Sequence, residues 1–292
     1  MSPTPRRTTA NIAPAAGRLP AQRGGAKALV LTMLGEYVLP AGGEVWTATL
    51  VTAADALGIG EKNARQAVAR IGDLGLIAGT RHGRAVRWSL TPDGRRLLES
   101  GARRIYGFGR NQADWDGRWL LAHCPVAESQ RSVRTQLRKR LGFLGFGELA
   151  ASLLVSPHVS REGELRIVLE ELGIADESTV LLSTTGSNER DIDLVRRAWS
   201  LDEIEAGYRT FIDDRADEQP SDGPDHFRAL IELVHDWRRF PFTDPELPAA
   251  LLPPTWAGEV ATTAFHDRHT AWSPIAQAWF AELEAASGVD AA

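Results

Sequence analysis

The sequence of 292 residues has a single cysteine, Cys124, and lacks any long apolar run. One cysteine cannot form an intrachain disulfide, which is typical of proteins from a reducing compartment. A membrane-spanning helix needs roughly 20 consecutive apolar residues, and no segment approaches that length. Arg6 and Arg7 suggest a twin-arginine export signal, but no continuous apolar segment follows them. We therefore expect a cytoplasmic protein without a membrane partner.

The motifs of common catalytic and cofactor sites are missing as well. The sequence contains no GxSxG nucleophile turn, phosphate-binding Walker loop, HExxH zinc motif or paired-cysteine spacing. His266 and His269 are three positions apart, a spacing that is more typical of a helix surface than of a metal site. We predict no catalytic residue, no cofactor and no metal site.

Charge is unevenly divided along the chain, although the net charge is only −5. Residues 1–110 contain 16 Lys and Arg against 7 Asp and Glu, a balance of +9, whereas residues 111–292 contain 17 against 31. Basic surfaces attract polyanions such as DNA, so the first part is the candidate nucleic-acid-binding module. Residues 1–24 are predicted to form a flexible basic tail in front of it.

This basic part has the hydrophobic periodicity of three helices followed by a hairpin. Gly58-Ile59-Gly60 predicts a tight turn between the second and third helices, and the strand-like runs LIAGT and AVRWSLT follow the third. Thr91 is the predicted N-cap of a closing helix. The order predicts a winged helix-turn-helix over residues 25–105. The first three helices are predicted over residues 27–39, 46–58 and 61–74.

The third of these helices has one apolar and one polar face. Apolar residues recur at helical spacing from Ala64 to Leu74, which predicts a buried stripe. Arg, Asn and Gln on the opposite face suit base edges in the major groove, and the arginines of the hairpin suit the DNA backbone. A solvated surface is the alternative, but turn, hairpin and charge together favour DNA binding. The predicted DNA-binding residues are Lys62, Asn63, Arg65, Gln66, Arg70, Arg81, His82, Arg84 and Arg87.

Beyond a predicted linker (106–116), strands and helices alternate through residues 117–187. A strand–helix–strand–helix–strand pattern of this length predicts a small ferredoxin-like α+β domain that serves dimerisation or ligand sensing. Residues 188–292 have helical periodicity, interrupted by an acidic loop and a proline-rich segment. The sequence thus predicts an α+β multidomain protein: an N-terminal winged helix-turn-helix, a ferredoxin-like middle domain and a helical C-terminal domain.

The longest distinctive motif is HDWRRFPFTDPELPAALLPPTWAG (His235–Gly258). Together with LLAHCPV, GFGELAASLLVSP and the winged helix, it resembles the phenylacetic-acid-degradation repressors of the PaaX family, from about Arg23 to the final helix. The resemblance implies a homodimeric repressor of a catabolic operon. Such a repressor releases a pseudo-palindromic operator when it binds an acyl-CoA thioester such as phenylacetyl-CoA.

The middle domain also resembles, by fold pattern, a small CRISPR-associated ferredoxin-like nuclease subunit. The alternative function is therefore a nucleic-acid-processing enzyme built on this domain. Such nucleases hold a metal with an aspartate at the end of the first strand. Here that strand ends in Ala122-His123-Cys124-Pro125, which supplies no carboxylate.

The HDWRRF segment is the candidate functional site outside the winged helix. If the chain binds an acyl-CoA effector, as the resemblance to the PaaX family implies, this segment is the candidate effector site. Arginines suit the phosphates of a CoA ester, and the aromatic residues suit its acyl group. A second candidate for phosphate contact is the basic face of the helix predicted over residues 129–145. The alternative is structural: a helix end packed on the proline-rich segment, with its arginines capping carbonyls or pairing with Asp236 and Asp244. The predicted effector-binding residues are Arg134, Arg138, His235, Trp237, Arg238, Arg239 and Phe240.

Overall fold

The computed structural model describes residues 25–110 and 114–289. The predicted basic tail, residues 1–24, and residues 111–113 of the predicted linker lie outside this part of the chain. The protein is a mixed α/β structure with two small antiparallel sheets and a helical C-terminal region, which confirms the predicted α+β class. None of the described helices combines the length and the apolar composition that crossing a bilayer requires.

The N-terminal part contains the three helices and the hairpin that their periodicity predicts. The first helix continues through a π-helical stretch, Leu34–Val38, and ends at the PAGGE segment. A strand at residues 44–46 was not predicted, because three residues are too few to show an alternation. The elements are α1 (Ala26–Met33), β1 (Glu44–Trp46), α2 (Thr47–Ala56), α3 (Glu61–Asp73), β2 (Ile77–His82), β3 (Ala85–Leu90) and α4 (Pro92–Gly107).

The three strands of this part form an antiparallel sheet in the order β1-β3-β2, and α3 packs beside it. The apolar stripe of α3 is buried, as predicted, at Ala64, Val68 and Ile71. Leu74 is 58% exposed, so the prediction is wrong there. The physical reason is that α3 ends at Asp73, and the chain then turns through Gly75 at a φ of 70°.

The helix after the hairpin is longer than predicted. Thr91 is its N-cap, since the Thr91 hydroxyl accepts a hydrogen bond from the Gly94 amide at 3.0 Å. The helix continues to the end of α4, so the first two residues of the predicted linker (106–116) are helical. Tyr106 donates a hydrogen bond to the buried Glu36 carboxylate, a long-range contact that stabilises this last turn and that local periodicity does not reveal.

The middle part is a four-stranded antiparallel sheet in the order β5-β6-β4-β7. The single strand predicted over residues 147–157 is two strands, because the chain reverses at Ala151-Ser152, where neither glycine nor proline marks the turn. Leu120 faces two helices, whereas Trp119 on the opposite face packs near Val155. The elements are β4 (Trp119–His123), α5 (Arg131–Phe143), β5 (Gly147–Ala150), β6 (Leu153–Ser156), α6 (Glu162–Glu171) and β7 (Thr179–Ser183).

The C-terminal part is helical, and it shares a single hydrophobic core with the N-terminal helices. The ring of Tyr37, from the N-terminal part, lies with its centroid 5.1 Å from that of Phe227 and 4.8 Å from that of Phe280. The N-terminal part therefore packs directly against the C-terminal helices. The elements are α7 (Asn188–Ala198), α8 (Leu201–Asp213), α9 (Gly223–Trp237), α10 (Phe240–Thr243) and α11 (Ala257–Val289).

The end of α11 reaches the N-terminus of α2. The Glu284 carboxylate accepts hydrogen bonds from the Trp46 amide at 3.1 Å and from the Thr49 hydroxyl at 2.6 Å. A carboxylate at this position satisfies a free helix amide and interacts favourably with the helix dipole. Glu284→Gln is therefore expected to lower the free energy of unfolding by about 1–2 kcal/mol, measured by urea denaturation.

Glu282, two residues earlier on the same helix, is exposed and provides the matched control. Glu282→Gln removes the same charge and is expected to change stability by less than about 0.5 kcal/mol. An equal loss in both variants would show that the contact with α2 contributes nothing specific.

Candidate nucleic-acid interface and ligand cleft

All five predicted DNA-binding residues of α3 are exposed on one face: Lys62, Asn63, Arg65, Gln66 and Arg70. Arg65 forms an ion pair with Glu61 one turn earlier, with Nε 2.8 Å from Oε1. Both side chains are more than half exposed, so the pair contributes little to stability, and a phosphate or a guanine can replace the carboxylate. The face is therefore free to meet a partner.

The hairpin between β2 and β3 presents Arg81, His82 and Arg84 to solvent. Arg87 differs from them, because it is only partly exposed and its Nη2 lies 3.2 Å from Oε2 of Glu44. Its guanidinium also lies 5.4 Å from the ring centroid of Trp46. Arg87 is thus held at the base of the hairpin, whereas the other three side chains lie toward its tip.

A cleft of about 570 Å³ lies where the middle part meets the C-terminal helices. One wall includes α5 and β5, and the other includes α8 and α10; we call it the α5–α10 cleft. Its volume is in the range of sites that take a small organic molecule. Its charged and aromatic lining residues are Arg138, Phe146, Glu148, Trp199, Glu203, Arg239 and Phe240.

Three of the predicted effector-binding residues, Arg138, Arg239 and Phe240, meet in this cleft. Arg138 is paired with Glu148, its Nη2 lying 2.6 Å from Oε1. Arg239 is exposed, donates one hydrogen bond to the Gly207 carbonyl at 3.0 Å and lies over the Phe240 ring. Arg239 therefore keeps most of its donors available to a ligand, while Arg138 must first exchange its carboxylate partner.

The other predicted effector residues lie elsewhere. Trp237 is fully buried in the shared core, where its Nε1 donates to the Ile105 carbonyl at 3.2 Å. Burial lowers the pKa of His235 to about 4. Arg238 lies toward α1, with Nη1 3.4 Å from the Thr32 hydroxyl. None of these three residues lines the cleft, because α9 turns them toward the core and only the chain beyond its end reaches the cleft.

The first basic residue of the α5 face also fails to reach the cleft. Arg134 donates a hydrogen bond from Nη2 to the Val126 carbonyl at 3.0 Å, which holds it against the loop after β4. One helical turn further on, Arg138 lines the cleft. The structure therefore brings one of the two predicted α5 arginines to this site.

Sequence reasoning missed the residues that complete the cleft and a smaller cavity of about 120 Å³ nearby. In that cavity the Tyr208 hydroxyl donates to the Asp244 carboxylate at 2.6 Å, and burial raises the pKa of both groups. Glu246 has a φ of 56°, a strained conformation for a side chain of this kind. Elements far apart in sequence bring these residues together, so no local motif could have indicated them. Among the described residues, no group of three His, Cys, Asp or Glu side chains is arranged to hold a metal.

The fold and these two sites define a class of protein: a multidomain α/β chain that combines a basic helix-and-hairpin surface with a cleft of small-molecule size. Family comparison then places it within that class. Residues 25–94 match the model of the PaaX-like proteins, residues 112–195 match the PaaX protein central Cas2-like domain, and residues 199–282 match the PaaX-like protein C-terminal domain. The chain belongs to the PaaX family, which confirms the resemblance found in the sequence.

Two relatives cover most of the chain. The transcriptional repressor PaaX of Escherichia coli (strain K12) is 32% identical over 270 residues, which are 87% of this chain and 82% of that protein. The uncharacterized protein Rv0674 from Mycobacterium tuberculosis has a TM-score of 0.60 and 21% identity, over 87% of this chain and 98% of that one. The second likeness shows a shared fold.

Proposed function

We propose that this protein is a transcriptional repressor that binds double-stranded operator DNA and responds to a small effector. The observation that carries the proposal is the exposed basic face of α3, which lies next to a basic hairpin in a chain related to a protein named as a repressor. The order α2, turn, α3, β2 and β3 is that of a winged helix-turn-helix, with α3 in the major groove and the hairpin tip on the backbone. This proposed domain, residues 25–105, includes all but the last two residues of α4.

The middle domain, residues 117–187, supports a homodimer in this proposal. Its strand order, with two helices on one face, is that of a ferredoxin-like fold. Two winged helices then bind a pseudo-palindromic operator whose half-site centres are one or more helical turns apart, roughly 34–36 Å per turn. A nucleic-acid-processing enzyme is the weaker alternative, because the E. coli relative is named as a repressor.

The α5–α10 cleft is the proposed effector site, and an acyl-CoA thioester such as phenylacetyl-CoA is the proposed effector. Arg239 and Arg138 offer charge-assisted hydrogen bonds to phosphate oxygens. Trp199 and Phe240 offer aromatic surface to an acyl or aryl group. The helical C-terminal domain, residues 188–292, supplies most of this aromatic surface.

Titration of the purified protein against its own upstream DNA, with and without phenylacetyl-CoA, tests the function. We expect specific binding. The logarithm of the association constant should fall linearly with the logarithm of the salt concentration, with a slope of roughly −0.9 per phosphate contacted. Release by the thioester supports both repressor and effector class. Binding that ignores the thioester keeps the DNA-binding function and contradicts the effector, and absence of any DNA binding contradicts the proposal.

Arg239→Ala tests the effector site separately. The substitution removes an exposed guanidinium from the cleft, so we expect roughly tenfold weaker binding of phenylacetyl-CoA by calorimetry and little change in stability. Arg209→Ala is the matched control, because Arg209 is exposed on the neighbouring α8, pairs with Glu205 and does not line the cleft. Equal affinity in wild type and Arg239→Ala would place the thioester elsewhere.

A further inference from the structure

Arg104, in the last turn of α4, bonds to two other parts of the chain. Its Nη2 donates to the Phe143 carbonyl at 3.2 Å, at the end of α5. Its Nε donates to the Pro241 carbonyl at 2.9 Å, within α10. One side chain of the N-terminal part thus joins the middle and the C-terminal parts, and a guanidinium is the group whose planar donors can serve both carbonyls at once.

Two aromatic rings, one from the middle part and one from the C-terminal part, contact this guanidinium. Arg104 lies 3.6 Å from the ring centroid of Phe143 and 5.4 Å from that of Phe242. The two rings are themselves 5.7 Å apart. Cation–π contacts of this kind strengthen when the cation is partly desolvated, as it is here. We refer to Arg104, Phe143, Pro241 and Phe242 as the Arg104 junction.

The two helices that hold Arg104 also form the walls of the α5–α10 cleft. Arg138 of α5 lines one wall, and Phe240 and Thr243 of α10 line the other. A ligand that changes the distance between these walls therefore moves the two carbonyls that accept hydrogen bonds from Arg104. Because a single planar guanidinium bonds to both carbonyls, a change in their separation disrupts one of these hydrogen bonds unless α4 itself moves.

The opposite end of α4 is fixed to the base of the hairpin. The Thr91 amide donates to the Leu76 carbonyl at 3.1 Å. Gly94 is in such close contact with this carbonyl that a Cβ there would lie 1.9 Å from the oxygen. A helix of 16 residues spans about 24 Å, so a displacement at Arg104 reaches the DNA-binding surface through one rigid element.

We propose that Arg104 is the positioning residue that couples the width of the α5–α10 cleft to the orientation of the winged helix. The inference rests on the proposed function and adds the route of regulation. Arg104 contacts neither DNA nor effector in this scheme. Its replacement should therefore leave the affinities for DNA and for effector unchanged, and remove the effect of one ligand on the binding of the other.

Arg104→Ala, Arg104→Lys and Arg103→Ala test the coupling. Arg103 is exposed on the same helix, so its variant loses the same charge without the junction. For wild type and Arg103→Ala, addition of phenylacetyl-CoA should weaken the affinity for upstream DNA by about 5- to 150-fold. Arg104→Ala should bind DNA alone and thioester alone within roughly twofold of wild type, yet show almost no release. Arg104→Lys keeps the charge but loses the paired donors, and should respond weakly.

Release by Arg104→Ala that equals release by wild type contradicts this inference alone. Wild-type protein that binds no DNA contradicts the proposed function and, with it, the coupling. Circular dichroism shows whether each variant is folded. If Arg104→Ala does not fold, Arg104→Lys carries the comparison, and full release by that variant contradicts the inference.

A second measurement needs no effector. The substitutions Arg138→Cys and Thr243→Cys introduce one cysteine on each wall of the cleft, and the native Cys124 is buried. Cross-linking with a short or a long bismaleimide sets the cleft width, and DNA affinity is then measured. With Arg104 present, we expect the DNA affinities of the short-linked and long-linked proteins to differ by at least about fivefold. With Arg104→Ala, the two affinities should be equal. Equal spacer dependence in both backgrounds, or none with Arg104 present, contradicts the coupling.

Discussion

Arg65→Ala combined with Arg84→Ala is expected to lower affinity for the upstream DNA by roughly 100-fold or more. Arg65 lies on the exposed face of α3, and Arg84 lies at the tip of the hairpin. Each base or phosphate contact of this kind contributes about 1–3 kcal/mol, and two distant contacts add. The loss of two charges should also reduce the magnitude of the salt slope by about 2. Fluorescence anisotropy at several salt concentrations measures both effects.

Stability should not change in this double variant. Arg65 is exposed and pairs with the exposed carboxylate of Glu61. Arg196→Ala combined with Arg197→Ala on α7 is the matched control: both arginines are exposed, and Arg196 is paired with Asp193 in the same way. Equal loss in the two double variants would mean that net charge alone drives binding. No loss in the Arg65 and Arg84 variant would show that the assignment of α3 to the major groove is wrong.

Much of the N-terminal part could be predicted, because its helices and its hairpin follow from patterns of residues that are close together in the sequence. The spacing of Ala64, Val68 and Ile71 determines which face of α3 is buried, so the opposite face could be identified without a structure. The hairpin follows from two short strands around Gly83. The extent of α4 depends instead on contacts such as that between Tyr106 and Glu36, which are distant in sequence.

The ligand cleft could be predicted only in part. The segment around residues 235–240 is rich in arginine and aromatic side chains, and this composition indicates a binding site. Periodicity alone could not show that α9 ends within it, so that Trp237 enters the core while Arg239 and Phe240 line the cleft. Trp199 and Glu203 join them through tertiary packing. Composition can suggest a site, but the point at which a helix ends decides which residues belong to it.

Trp237→Ala is expected to have the largest effect on stability, lowering the free energy of unfolding by about 3–5 kcal/mol. The side chain is fully buried, and its ring lies 4.6 Å from the ring of Phe265 in a stacked arrangement. Truncation leaves a large cavity and an unsatisfied Ile105 carbonyl. Urea denaturation followed by circular dichroism measures the loss.

The same variant distinguishes a core residue from an effector-binding residue, because both interpretations were open for Trp237. Trp279→Ala is the control, since Trp279 is only partly buried beside Phe227 and should lose less stability. Trp237→Phe retains most of the packing and should recover much of the loss. If Trp237→Ala instead unfolds like wild type and loses only affinity for phenylacetyl-CoA, then Trp237 belongs to the ligand site, and the cleft boundary inferred from the end of α9 is wrong.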